Sequence, residues 1–225
     1  MSDGTKGLTC KDFRLTDGHP YYSDNKFVAT TATYTRPLGE NEVYGMMTLP
    51  FKHQNAENAD AAFYHIDVVE NGKISLVAID PSVEGNASAY LPVIFKRKAG
   101  ATSITVTGTD VTVKKTSADK FNSTCEGWTI TGAVENTSVT ASDGNYLYEM
   151  ADSKLGSVAH AESLTIAPFR AYLSTTVDAP LSSLTIVLHD EPSAATLVDA
   201  IKQLINGNLS KQDIDAIVDQ LLNRE

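Results

Sequence analysis

Five histidines are the residues of this chain best suited to acid–base or metal chemistry: His19, His53, His65, His160 and His189. No two stand at a spacing that would bring both to one helix face as metal ligands. No serine occupies the strand–turn–helix elbow that exposes a nucleophile, although a Ser–His–Asp site built from distant segments leaves no local mark. No glycine-rich loop leads from a strand into a helix to cradle phosphate. Asp12 with Asp17, and Asp60 with Asp67, fall in turn or strand contexts and read as solvated surface. The expectation is a chain that is not an enzyme and carries no metal or cofactor.

Aromatic rings are the remaining groups that could recognise something. Tyr21, Tyr22, Tyr44, Tyr90, Trp128, Tyr146 and Tyr148 include candidates for a stacking platform, because a flat apolar face with a polar tip suits the C–H surface of a sugar. Trp128, Tyr21 and Tyr22 are the residues singled out for that role. Most rings in a β-rich protein belong to its core, and Trp128 is read first as core. Cys10 and Cys125 are the only cysteines. They are a candidate disulfide; if bonded, the long loop would stabilise the fold by on the order of 4–5 kcal/mol, and if free they carry no consequence.

The elements that must position these residues are strands. KFVATTATYTRPL (Lys26 to Leu38) alternates at period two. VYGMMTLPF (Val43 to Phe51) is apolar throughout and reads as a central strand. FYHIDVV, Asn71-Gly72 and KISLVAID spell a hairpin whose turn wants positive φ at both centres. SITVTG and DVTVKK read as a tight pair across Gly108-Thr109-Asp110, and GWTITG puts Trp128 and Ile130 on one face. Strand signals every 8–12 residues, without intervening helices, predict a mainly β fold: an antiparallel β-sandwich of one large module or two small Ig-like or jelly-roll-like modules. The expected organisation is a linker over residues 1–12, sandwich parts over 13–118 and 119–192, and a C-terminal two-helix hairpin over 193–225. In that hairpin Leu197, Ile201 and Leu204, then Ile214, Ile217 and Leu221, form apolar stripes that could dock on a partner.

Charge and hydropathy narrow the partners. A net charge of -10 repels phosphate backbones, which argues against nucleic acid. No stretch is long and apolar enough for a membrane-spanning helix. The first ten residues lack the apolar core of a signal peptide and read as an arbitrary starting point, so they say nothing of localisation.

The order LTDGHPYY, YTRPL, MMTLPF, AYLPVIFK, the Cys125 segment before GWTITG, and APFRAYLS resembles a β-rich C-terminal region of secreted and surface proteins of gut and oral Bacteroidetes. The resemblance covers roughly Leu15 to Asp190. The helical end is similar to the degenerate dockerin-like tails of the same proteins. In a calcium-binding dockerin loop ending at Asp213, the earlier ligand positions would fall on Lys202 and Leu204, which cannot ligate, so no metal is expected there. The resemblance implies export to the secreted or cell-surface space, a β-sandwich and no catalysis in this region. The all-β pattern without a site, together with the helical hairpin, leads to the expectation of a non-catalytic accessory or attachment module, used in adhesion or protein–protein interaction. The partner would be a protein or a surface glycan, the second case making the chain a carbohydrate-binding module.

Overall fold

Strands form where Val, Ile, Thr and Tyr recur at period two and can pack on a pleated surface. The computed structural model describes residues 7–52, 58–79, 91–116, 121–125, 127–142, 145–177 and 182–189. Among these residues there are fifteen strands and no helix. In chain order they begin with β1 (Thr9–Thr16), β2 (Phe27–Pro37), β3 (Tyr44–Met47), β4 (Ala61–Glu70), β5 (Lys73–Ala78) and β6 (Val93–Arg97). Next come β7 (Ser103–Val113), β8 (Asn122–Cys125), β9 (Trp128–Ala133), β10 (Thr137–Thr140) and β11 (Tyr146–Asp152). The last four are β12 (Ser157–Ala161), β13 (Ser163–Ile166), β14 (Arg170–Thr175) and β15 (Ser183–His189). The segment expected to hold the two helices, with Leu197, Ile201, Leu204, Ile214, Ile217 and Leu221, lies outside the described residues.

The strands make a three-stranded sheet ordered β1-β2-β7, a two-stranded sheet β10-β13, and a ten-stranded sheet ordered β3-β6-β4-β5-β15-β12-β11-β14-β9-β8. β1 with β2 and β5 with β15 run parallel; the other described pairs are antiparallel. The large sheet folds back on itself, so that β3 meets β14 and β4 meets β8. Met46, Ile94, Ile74 and Leu76 from one half then share a core with Trp128, Ile130, Tyr148 and Leu173 from the other. The opposite face of β3, β6 and β4 packs Met47, Phe95 and Phe63 against Tyr34, Ile104 and Val106 of the three-stranded sheet. Strands β3 and β6 are therefore buried on both faces, which explains why VYGMMTLPF and the VIF of β6 are apolar without alternation.

Several expectations are revised at this level. The pairing of β5 with β15 and the shared core carry one sheet across residue 118, where the two sandwich parts were divided, as in the one-large-module alternative. Residues 9–12, expected as linker, belong to β1. The turn expected at Gly108-Thr109-Asp110 is absent: β7 runs straight through, its register passing from Thr109 opposite Thr31 to Val111 opposite Ala29. Asp110 absorbs the irregularity with φ 52°. An eleven-residue partner strand pairs in the same register on both sides of Asp110, which overrides the local turn preference. The Asn71-Gly72 turn forms as expected, with φ 50° and 76°, and closes the β4–β5 hairpin.

Candidate functional site

The cleft with most chemistry around it begins as a failure of strand pairing. β11 pairs with β14 from Tyr146 opposite Thr175 to Tyr148 opposite Leu173, and there the ladder stops. Yet β11 stays bonded to β12 as far as Asp152, and β14 stays bonded to β9 back to Arg170. The two strands thus diverge like a fork. β3, from the facing half of the sheet, bridges its mouth: the Tyr44 N–H donates to the Ser153 carbonyl at 2.7 Å and the Thr48 N–H to the Phe169 carbonyl at 3.3 Å. This close approach needs Gly132, where a Cβ would lie 2.4 Å from the Thr48 Cβ. The fork opens into a cleft of about 640 Å³, lined by Arg36, residues 39–42, 44–46, 149–151, 153, 165–167 and 170–171.

Two arginines stand in its wall, and both are committed to the fold. Arg170 grips Asp17 through two parallel bonds, Nη1 to Oδ1 at 2.8 Å and Nη2 to Oδ2 at 3.0 Å. The Tyr34 hydroxyl donates to the same Asp17 oxygen at 2.5 Å and accepts from Arg170 at 3.1 Å. Burial opposes ionisation of Asp17, but the bonds from Arg170 and Tyr34 outweigh it and hold its carboxyl below the usual range. Burial, together with the Asp17 carboxylate, drives the Tyr34 phenol far above its ordinary value. The preceding residue, Phe169, is fully buried with φ 63°. A bulky residue in that region is strained, and the strain is sustained by two backbone bonds that fix the start of β14, Phe169 N–H to Ala133 and Thr48 N–H to Phe169.

Arg36 is only 5% exposed. It pairs with Glu42, donates from Nη1 to the Met46 carbonyl at 3.1 Å, and lies 4.8 Å above the Phe95 ring centroid. Gly45 makes room for this stack, since a Cβ there would meet Phe95 Cζ at 2.5 Å. Burial and the neighbouring Arg170 charge lower the Arg36 pKa, against the pull of Glu42; a guanidinium stays charged regardless. Its Nε–H has no hydrogen-bond partner among the described residues. Glu40 and Glu149 are exposed on the rim and form no ion pair among the described residues. Lys96 lies 5.7 Å from the Tyr44 ring centroid, beside the cleft.

The residues singled out from the sequence fall elsewhere. Trp128 is 7% exposed and packs against Tyr148, so it is core and not a stacking platform. Tyr21 is 6% exposed, with its hydroxyl donating to the Lys114 carbonyl at 2.7 Å, and is likewise withdrawn as a platform. Only Tyr22 is exposed, at 73%, bonded to its neighbour Asp24. The structure does not join Cys10 and Cys125 in a disulfide: the Cys10 thiol donates to the Asp12 carbonyl and the Cys125 thiol to that of Asp67. They lie on different sheets, β1 in the three-stranded and β8 at the edge of the ten-stranded one. His19 meets the Asp17 carbonyl, and His160 packs against Tyr146 and Tyr148. No group of three His, Cys, Asp or Glu side chains that could hold a metal ion occurs among the described residues, nor does any helix long and apolar enough to cross a membrane.

The arginines of the cleft were missed from sequence, although one signal was present. Arg36 occupies the inward phase of β2, in step with buried Ala32 and Tyr34. A charge at an inward position of an alternating strand marks a buried ion pair or a site. Comparison with protein-family models, with curated proteins and with solved structures finds no match to this chain.

Proposed function

We propose that this chain is a non-catalytic attachment module of a secreted or cell-surface protein, working in adhesion or protein–protein interaction. The observation that carries the reading is how the cleft uses its charges. Asp17, Arg170, Tyr34, Arg36 and Glu42 brace packed sheets against one another. What remains available to a ligand is strand backbone and a rim that carries Glu40 and Glu149, with Arg97 held on the Gly39 and Glu40 carbonyls and Lys96 beside it. Glu40 and Glu149 stand in solvent. This is the chemistry of holding, not of turnover. The ordered resemblance to β-rich regions of exported Bacteroidetes proteins supports the secreted or surface setting, a sandwich architecture and a dockerin-like helical end. The carbohydrate-binding alternative loses support with Trp128 and Tyr21 in the core.

The test immobilises host-surface proteins and glycans separately and measures retention of the full chain. Saturable retention on protein, with no product detected by mass spectrometry of either substrate, supports the reading. Turnover of a glycan or peptide, or retention on no surface, overturns it.

A further inference from the structure

We infer that the fork between β11 and β14 receives an extended peptide segment bearing lysine or arginine. The inference rests on the attachment reading and names the chemistry of its partner. Past Tyr148, the β14-facing flank of β11 has no ladder partner among the described residues. Continued pairing would set Glu149 opposite Tyr172, Met150 opposite Ala171 and Ala151 opposite Arg170. Instead residues 149–151 and 170–171 line open space. An unpaired strand flank presents alternate N–H and C=O groups, the template on which an extended peptide adds as a further strand. The cleft volume of about 640 Å³ lies within the roughly 300–1,000 Å³ of known ligand pockets.

Charge selects the side chains of that peptide. Both cleft arginines are paired with carboxylates, whereas Glu40 and Glu149 are exposed and unpaired among the described residues. The chain as a whole carries -10. The described lining sets three carboxylates, Glu40, Glu42 and Glu149, against two guanidiniums, Arg36 and Arg170, a balance that favours a cation over an anion. A sugar has less to recognise: Tyr44 is the one ring in the described lining, and Lys96 already lies over it.

The experiment measures fluorescence anisotropy of two labelled hexapeptides, alternating threonine–lysine and alternating threonine–glutamate, against the full chain. The lysine peptide should bind, more weakly as salt rises, and the glutamate peptide should not. Glu40→Gln and Glu149→Gln should each weaken binding about two- to five-fold, the range of a solvent-exposed ion pair. Ala151→Lys adds a cation to the exposed cleft wall outside the ion-pair network, and should weaken binding at least about ten-fold while the melting temperature stays unchanged. Equal binding of both peptides, or lysine-peptide binding indifferent to Ala151→Lys, overturns the inference. The two readings fail separately. Retention on protein surfaces that survives Ala151→Lys, without lysine-peptide binding, removes the fork as the site and leaves attachment standing. Fork binding without retention on any surface does the reverse.

Discussion

Asp17→Asn removes one charge from the point where the turn after β1 is tied to β2 and β14. Wild-type Asp17 accepts two bonds from Arg170, at 2.8 and 3.0 Å, and one from Tyr34 at 2.5 Å. A hydrogen bond to a charged group contributes about 1.5–3 kcal/mol, and breaking a fully buried pair costs about 3–5 kcal/mol. These side chains keep 25% and 20% of their exposure, and asparagine retains one acceptor, so the loss should be about 3 kcal/mol, at the low end of that range. For a chain of this size each kcal/mol moves the midpoint by about 2–4 °C, so the melt should fall by about 6–12 °C. The effect should depend on pH in one direction. The folded-state pKa of Asp17 is depressed, so its stabilisation is complete above the ordinary carboxylate pKa and fades as pH falls through the folded value. Circular-dichroism melts should show the full gap between wild type and variant from pH 5 to 7, narrowing below about pH 4. A gap under 2 °C at pH 7, or one that does not narrow in acid, would refute the assignment of Asp17 as a charged strut.

Two further substitutions probe the packing. Gly132→Ala places a methyl against Thr48, buried at 1% exposure, and should cost about 1–3 kcal/mol as overpacking, read as a lower urea midpoint; an unchanged midpoint would mean that β3 does not press on β9. Trp128→Ala should destabilise by about 3–5 kcal/mol as a core deletion, while Tyr22→Ala should change stability by less than about 0.5 kcal/mol. Loss of glycan retention with a normal melt in either variant would restore the sugar-platform reading.

What was legible in the sequence was local. The Asn71-Gly72 hairpin is written in two turn residues between apolar runs, and Trp128 and Ile130 share a face because strand periodicity demands it. Tyr21 lies in a turn-like segment between β1 and β2, and nothing near it in sequence announces that its ring packs into the core shared with Phe51 and Phe95. The Gly108–Asp110 stretch carries turn residues but is held straight by a long partner. The fork was least legible of all. It depends on where two strands stop pairing, and register between β11 and β14 is set by β12, β9 and β3 together. Arg36 and Arg170 stood in strands recognised as such, YTRPL and FRAYL, yet their partners Glu42, Asp17 and Tyr34 are defined only by folding.

Residue-resolved hydrogen exchange along β11 tests the open fork most directly. In the free chain, amides of Glu149–Asp152 that point away from β12 should exchange far faster than the doubly flanked amides of Tyr146–Tyr148, and the threonine–lysine peptide should slow them while the threonine–glutamate peptide does not. Uniform protection from Tyr146 to Asp152 in the free chain, unaltered by either peptide, would contradict the account.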